Sequence, residues 1–325
     1  MRGAFVLAPK RSGSTAFRLA LDNLQGYRSV PESHFLLFVA MRNPRPGGGV
    51  TCDGLLAYLN SSPRLRDWRF RSSRVWPHPP QGVCTTTQFA NWVNDFFLFE
   101  SGGVGWVEKT PEYCDIADWL SSVFPGVPRI LLVRDPVDNV ESLAKRGWEG
   151  WTDRRRALYW NRVVLKALNG GGGPSHVVKF EAFTKDPETA LRECALVIGT
   201  NAVGPPVLQS DRVTATDRAL GAHDKLVQSG GSVRQMESVR ADATRQALIG
   251  HYAREALLQL EGRGVTWSEE RPLLSSTPRS STRLRASMID ALYGLFHSEI
   301  FRPIRTLVHR TETYAHIRGH IRSRR

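Results

Sequence analysis

The chain has 325 residues, 41% of them apolar and 23% charged, enough to bury one large core or a core with a small annex and too apolar for an intrinsically disordered chain. No run of eighteen apolar residues occurs, so the sequence offers no candidate for a membrane-spanning helix. The formal net charge is +13 and is unevenly placed, with much of the excess near the C-terminal end.

Residues Phe5 to Leu24, FVLAPKRSGSTAFRLALDNL, read as an apolar strand, a short basic Gly/Ser turn and an amphipathic helix. That layout holds phosphate on a helix N-terminus, where unpaired backbone N–H groups and the positive end of the helix dipole converge. The charge is arranged differently from an ATP-binding loop. The pattern G-x-x-x-x-G-K-[ST] would put its first Gly at Ala8 and its Lys at Ser14. Here the cations precede the glycine, as Lys10 and Arg11, and only Thr15 fits the final slot. A first strand this close to Met1 leaves no room for a signal peptide or N-terminal anchor, so a cytoplasmic protein is expected.

A second strand then leads into GYRSVPESHF, where Pro31 holds an extended turn before a helix. Glu32 in that turn is either an acid stabilised by the helix dipole or a general base; His34 is the alternative base. The middle of the chain is less regular. Asn43 to Val50 and Arg71 to Val83 are loops rich in Pro and Gly, and Leu55 to Leu59 and Thr86 to Phe99 are helical. Phe89, Trp92, Phe96 and Phe97 recur at helical spacing, as a core-facing stripe does.

Val107-Glu108-Lys109-Thr110-Pro111 ends a further strand, and Tyr113 to Phe124 follows as a helix. Ile130 to Val133 is a continuous apolar run of the kind buried in a parallel sheet. Arg134-Asp135-Pro136 breaks it, and Pro136 suits the first turn of the next helix, on which Val140, Leu143 and Ala144 face the sheet. Arg134 sits where open α/β sheets bind ligands, although pairing with Asp135 or Asp138 is the plainer role for it. Ser142 lies two turns into that helix, and Asp135 and Asp138 serve as caps or orienting partners. Gly170 to Gly173 form a flexible turn before a strand at His176 and a helix from Glu188 to Ile198. Lys225 and Arg234 flank a polar Ser/Gly loop.

The four cysteines, Cys52, Cys84, Cys114 and Cys194, and the nine histidines show no C-x-x-C or H-E-x-x-H spacing. No metal site is expected, and reduced, buried thiols fit a cytosolic compartment. From Leu273 onward ten arginines stand against three acids. Leu284, Met288, Leu292, Leu295 and Phe296 form an apolar stripe on a helix there, continued by Ile300, Ile304, Leu307 and Val308. Three readings of this tail stay open. The stripe packs on the core with a solvated basic face, favoured for the first helix; it rests on an anionic membrane surface; or it binds nucleic acid, for which no base-reading motif is present.

Taken together, RSGST after one strand, and RDP with a helical Ser after another, resemble the PAPS-dependent sulfotransferase family. The pattern is closest to its tyrosylprotein and bacterial glycolipid-type branches, which use a Glu base. The resemblance covers roughly residues 3 to 265. It implies a P-loop NTPase-like α/β fold: three layers, α/β/α, around a central parallel sheet in residues 1–265, with a basic, partly helical extension over 266–325. It implies that Lys10, Arg11, Ser12, Gly13, Ser14 and Thr15 cradle the 5′-phosphosulfate of 3′-phosphoadenosine 5′-phosphosulfate (PAPS), the co-substrate. Arg134 and Ser142 would bind its 3′-phosphate. Glu32 would be the base, with Arg11 and Lys109 stabilising developing charge; whether Lys10 or Arg11 faces the sulfuryl group is open, and so is a plain ion-pairing role for Lys109. Phe180 stands where the family commonly has Tyr. Lys225 or Arg234 would fold over the 3′-phosphate, and Trp68, Trp76 and Trp92 would line the acceptor pocket.

The acceptor implied is a carbohydrate or glycolipid, a small metabolite or a peptide tyrosine. No metal is required, peripheral contact with the inner membrane surface is one of the open readings of the tail, and nucleic acid is not an expected partner. Two other classes compete: an ATP-dependent small-molecule kinase or NTPase, disfavoured by Ser14 in the Walker lysine slot, and a non-catalytic, membrane-associated nucleotide-binding protein.

Overall fold

The computed structural model describes residues 1–45, 47, 49–202, 243–267, 273 and 278–296. Among them, five parallel strands form the central sheet: β1 (Gly3–Leu7), β2 (Tyr27–Ser29), β5 (Gly105–Lys109), β6 (Arg129–Val133) and β7 (His176–Lys179), in the order β2-β5-β1-β6-β7. Two-residue strands β3 (Val50–Thr51) and β4 (Val83–Cys84) pair antiparallel outside it. The three inner strands β5, β1 and β6 bury nearly every residue, because helices cover both sheet faces and neither can be polar.

Side chains alternate across the sheet and so divide the core in two. Ala4, Val6, Ile130 and Leu132 pack against α1 (Ser14–Ala20), α8 (Phe180–Lys185) and α9 (Pro187–Ile198), through residues such as Phe17, Phe183 and Leu191. Phe5, Leu7, Leu131 and Val133 face the other way. They meet α2 (Phe35–Arg42), α4 (Thr86–Ser101), α5 (Ala117–Val123), α6 (Pro136–Arg146), α7 (Asp153–Asn169) and α10 (Ala243–Glu261). The result is three layers, α/β/α, around a parallel sheet.

The aromatic stripe of α4 is core. Phe96 stacks between Trp68 and Trp92, and Phe97 packs on Trp106. Trp68 and Trp92 are therefore buried rather than lining a pocket, and the Trp92 indole donates to the Pro77 carbonyl. Gly170 to Gly173 are also more constrained than a flexible turn: Arg129 donates to the carbonyls of Gly171 and Gly173, and Asp118 accepts the Gly171 N–H.

The core extends beyond Glu261, since Trp267 is buried and its indole donates to Glu181, and Leu273 is buried as well. Helix α11 (Ser280–Phe296) sits on this body through Asp290, which accepts hydrogen bonds from Thr152 and from Arg154, the latter at 2.6 Å. Leu284 and Met288 of its apolar stripe correct the expectation of core packing, while the side chains of Leu292, Leu295 and Phe296 lie outside those described. Leu284 is 64% exposed and Met288 59%, while the small Ala286 faces inward. Lys225, Arg234, and Ile300 through the terminal arginines lie outside the described residues.

Candidate active site

Sheet topology determines where a site forms. The chain leaves β1 toward β2 and β5 on one side and later adds β6 and β7 on the other, so a crevice opens at the carboxyl ends where connections diverge. The loop at Lys10 to Thr15, the turn with Glu32, Lys109 and Arg134 follow or end β1, β2, β5 and β6, and so lie at that end.

The loop after β1 is held in a conformation that most residues avoid. Arg11 has φ 67° and Gly13 φ 79°, both left-handed. At Gly13 a Cβ would lie 2.1 Å from the Phe180 ring, so only glycine permits this packing. Arg11 is not glycine; its strained backbone is held by neighbours on two helices. The Lys10 N–H donates to the Tyr159 hydroxyl at 3.0 Å, and Asn139 donates to the Lys10 carbonyl at 2.9 Å and to Ser12 Oγ at 3.2 Å. Ser12, Ser14 and Thr15 are buried. Asn139 escaped the sequence reading. It sits three positions before Ser142, and therefore on the same helix face, which was the available signal.

Arg134 and Ser142 meet this loop directly. Arg134 donates to the Arg11 carbonyl at 3.3 Å, lies 3.9 Å from Asp138, and places its guanidinium 5.4 Å from the centre of the Phe180 ring. Arg11 Nε donates to Ser142 Oγ at 3.1 Å, and its guanidinium lies 5.8 Å from the centre of the Trp148 ring. Burial, with repulsion from Arg146 and Arg134, lowers the Arg11 guanidinium to about 10, still protonated at neutral pH. Phe180 itself is buried between Gly13 and Arg134 and has little ring face left for a ligand. Asp135 caps α6 by accepting from the N–H groups of Val137 and Asp138 at 2.8 and 3.0 Å.

Across the crevice, Glu32 and Lys109 form a buried ion pair, at 9% and 1% exposure. Lys109 is thus no surface lysine paired with Glu108 or Glu112. Burial alone would raise the Glu32 carboxyl, but the Lys109 ammonium and contacts from His34 outweigh it and hold the group well below the usual carboxylate range. His34, with φ 55° at the start of α2, lies 3.4 Å from Glu32 through Nε2 and 3.6 Å from Glu112 through Nδ1. Arg64, from the segment between β3 and β4, reaches the same Nε2 at 2.7 Å. Nothing in its local sequence signalled that contact.

The turn bearing Glu32 is pinned from below. Glu108 Oε1 accepts from Ser33 N at 3.1 Å, Ser33 Oγ at 3.0 Å and Thr110 Oγ1 at 2.7 Å, and Ser33 Oγ meets the Tyr113 hydroxyl at 2.5 Å. Full burial pushes the Glu108 carboxyl up to about 7. Adjacent residues of β5 thus do different work on opposite faces: Glu108 braces the turn and Lys109 meets its carboxylate.

Lys10, half-buried, pairs with Glu149 at 3.0 Å and Glu112 at 3.5 Å. Among the described residues no group of three or more His, Cys, Asp and Glu side chains is arranged to hold a metal, and no helix is long and apolar enough to cross a membrane.

The model of a family described as the sulfotransferase family matches residues 4–200. No curated protein sequence gives a significant match. Similar solved structures include a sulfotransferase domain from the curacin biosynthetic pathway, at 16% identity and a TM-score of 0.47 over 80% of this chain and 98% of that one. The sulfotransferase domain of the Synechococcus PCC 7002 olefin synthase gives 21% and 0.49 over 78% and 93%. A sulfotransferase from Alicyclobacillus acidocaldarius gives 14% and 0.44 over 81% and 94%.

Proposed function

The chain belongs to the sulfotransferase family, and from that premise we propose that it moves a sulfuryl group from PAPS to an acceptor hydroxyl, with Glu32 as the base. The observation that carries this reading is the convergence of Arg11, Arg134 and Ser142 on one phosphate-type loop, opposite a buried carboxylate paired with a lysine.

Residues Lys10 to Thr15 supply backbone N–H groups, hydroxyls and cations for the 5′-phosphosulfate, and Arg134 and Ser142 serve the 3′-phosphate. Arg11 donates to Ser142, so donor binding exchanges that contact for phosphate oxygens. Lys10 leaves Glu149 and Glu112 in the same way.

The acceptor oxygen adds to sulfur in line while the bond from sulfur to the bridging phosphate oxygen breaks. Arg11 neutralises charge on the sulfuryl and leaving groups. Lys109 turns from Glu32 toward the bridging oxygen. That motion has a second effect: once the ammonium leaves, burial is less opposed, and the Glu32 carboxylate becomes a stronger base as the hydroxyl proton departs. His34 and Arg64 border the acceptor side and restrict how a sugar, metabolite or tyrosine hydroxyl approaches.

A peripheral membrane location is supported by one feature of α11. Leu284 and Met288 face solvent beside Arg283 and Arg285, the pattern of a basic amphipathic helix that lies in an anionic interface. A lipid-linked acceptor would suit such a location.

The test is transfer of radiolabelled sulfate from PAPS across a panel of glycan, glycolipid, phenolic and small-alcohol acceptors, with calorimetry comparing adenosine 3′,5′-bisphosphate and ATP. Transfer with tighter bisphosphate binding is expected. Tighter ATP binding without sulfate transfer would instead favour a kinase or NTPase, and bisphosphate binding without transfer to any acceptor a non-catalytic role.

A further inference from the structure

Two of the four free cysteines are neighbours. The β3–β4 ladder sets Val50 opposite Cys84, and the Cys52 N–H donates to the Gly82 carbonyl at 2.8 Å, so Cys52 and Cys84 lie diagonally across one short antiparallel pair. Their Sγ atoms are 3.7 Å apart, and both approach the Val50 carbonyl. Cys114 and Cys194 are buried elsewhere, in the turn before α5 and in α9.

We propose that Cys52 and Cys84 form a reversible disulfide that ties together the two ends of segment 53–83, a redox modification site separate from sulfuryl transfer. With the sulfurs already 3.7 Å apart, small shifts of the two side chains and of their short strands close the gap to a bond of about 2 Å. Cys84 is half-buried and Cys52 buried, so Cys84 is the entering thiol.

The oxidant is a small-molecule disulfide. The Cys84 thiolate attacks one of its sulfurs and expels one thiol, and the Cys52 thiolate then attacks Cys84 Sγ and expels the second. Two protein thiols and one external disulfide become one protein disulfide and two external thiols. Burial, followed by the hydrogen bond and charge of Cys84, pushes the Cys52 thiol up to about 12. Both Cys84 contributions vanish once Cys84 is capped, which eases the second step.

The tied segment matters because it carries Arg64 to His34. Between its ends it carries α3 (Leu55–Ser61) and two 3-10 turns, Pro63–Leu65 and Arg69–Ser72, anchored in the core by Leu65, Trp68 and Phe70, whereas its base is held only by two-residue strands, which are weak anchors. A covalent bond at its base would narrow the motion of the acceptor-side wall while leaving the donor loop untouched.

The experiment incubates the full chain with glutathione disulfide, alkylates remaining thiols and maps tryptic peptides without reduction. Loss of two hydrogens in intact mass, with a peptide pair linking Cys52 to Cys84 that dithiothreitol releases, is expected. Cys84→Ser should abolish the link. Mapping of the unaltered chain decides the matter even where that variant folds poorly. Full alkylation of both thiols after exposure, a persistent glutathione adduct on Cys84, or a link from either residue to Cys114 or Cys194 would overturn the proposal.

Discussion

Lys109 and Glu32 come from different strands, β5 and the turn after β2, yet their charged ends meet with almost no exposure to water. Such a pair is costly to break from one side, because the remaining charge stays buried without its partner. Lys109→Met should therefore destabilise the protein by roughly 3–5 kcal/mol. Glu32→Gln in the same chain should return most of that loss. In activity, Glu32→Gln alone should lose roughly a hundredfold or more in turnover. Chemical denaturation and single-turnover sulfate transfer measure the two effects. Undiminished transfer by Glu32→Gln would remove Glu32 as the base.

Arg134 touches the donor loop through the Arg11 carbonyl and sits beside Ser142's partner, Arg11. The segments read from sequence as gripping two ends of one nucleotide are contiguous here. Arg134→Ala is expected to weaken adenosine 3′,5′-bisphosphate by about 2 kcal/mol, the scale of a charge-assisted hydrogen bond, and adenosine 5′-phosphate by much less. Titration calorimetry on both ligands gives the answer. Equal losses would mean that Arg134 supports the loop instead of meeting a 3′-phosphate.

The strands and the glycine-bearing loop after β1 were legible in sequence for a physical reason. Ile130 to Val133 is apolar because both faces of the inner sheet are covered, and Gly13 is required because Phe180 packs against it. Local patterns report such local demands. Arg64, Glu112 and Glu149 were not legible, since their partners His34 and Lys10 lie many residues away and only the tertiary fold joins them. The stripe of α11 misled for a related reason. Periodicity marks an apolar face but not what covers it, and here Asp290, between Thr152 and Arg154, decides which side turns inward.

Exposed Leu284 and Met288 give a second kind of test. Leu273 is buried in the body, so deleting the tail from there would disturb the core. Leu284→Glu with Met288→Glu leaves the core intact. The full-length protein should co-sediment with vesicles of anionic lipid at physiological salt, and this double variant should lose about tenfold or more in vesicle affinity, as two buried apolar side chains and two added like charges predict. Absence of sedimentation by the parent chain would end the membrane reading.

Glu108 makes stability fall as pH rises, the opposite of a carboxylate held ionised by an ion pair, as Glu32 is. Its Oε1 accepts three hydrogen bonds, which favour the carboxylate, but full burial, with Oε2 lacking any partner among the described residues, outweighs them and favours the neutral acid. With burial raising the group to about 7 from an ordinary 4.5, the folded state binds more protons than the unfolded state between those values. The contribution is complete below about pH 4.5 and is lost as pH rises through 7. Its size is about 3 kcal/mol across that window. Glu100 is raised to about 7 by burial and slopes the same way, while Glu32 is depressed and slopes oppositely at lower pH, so the parent curve alone mixes several groups. The difference between the parent and Glu108→Gln isolates one. The amide keeps an acceptor for Ser33 and Thr110 and cannot ionise, so its unfolding free energy should fall less steeply from pH 5 to pH 7.5, as urea denaturation at each pH would read. Curves that run parallel across this range would show that Glu108 stays ionised in the folded protein and that the turn holding Glu32 is braced by a charge.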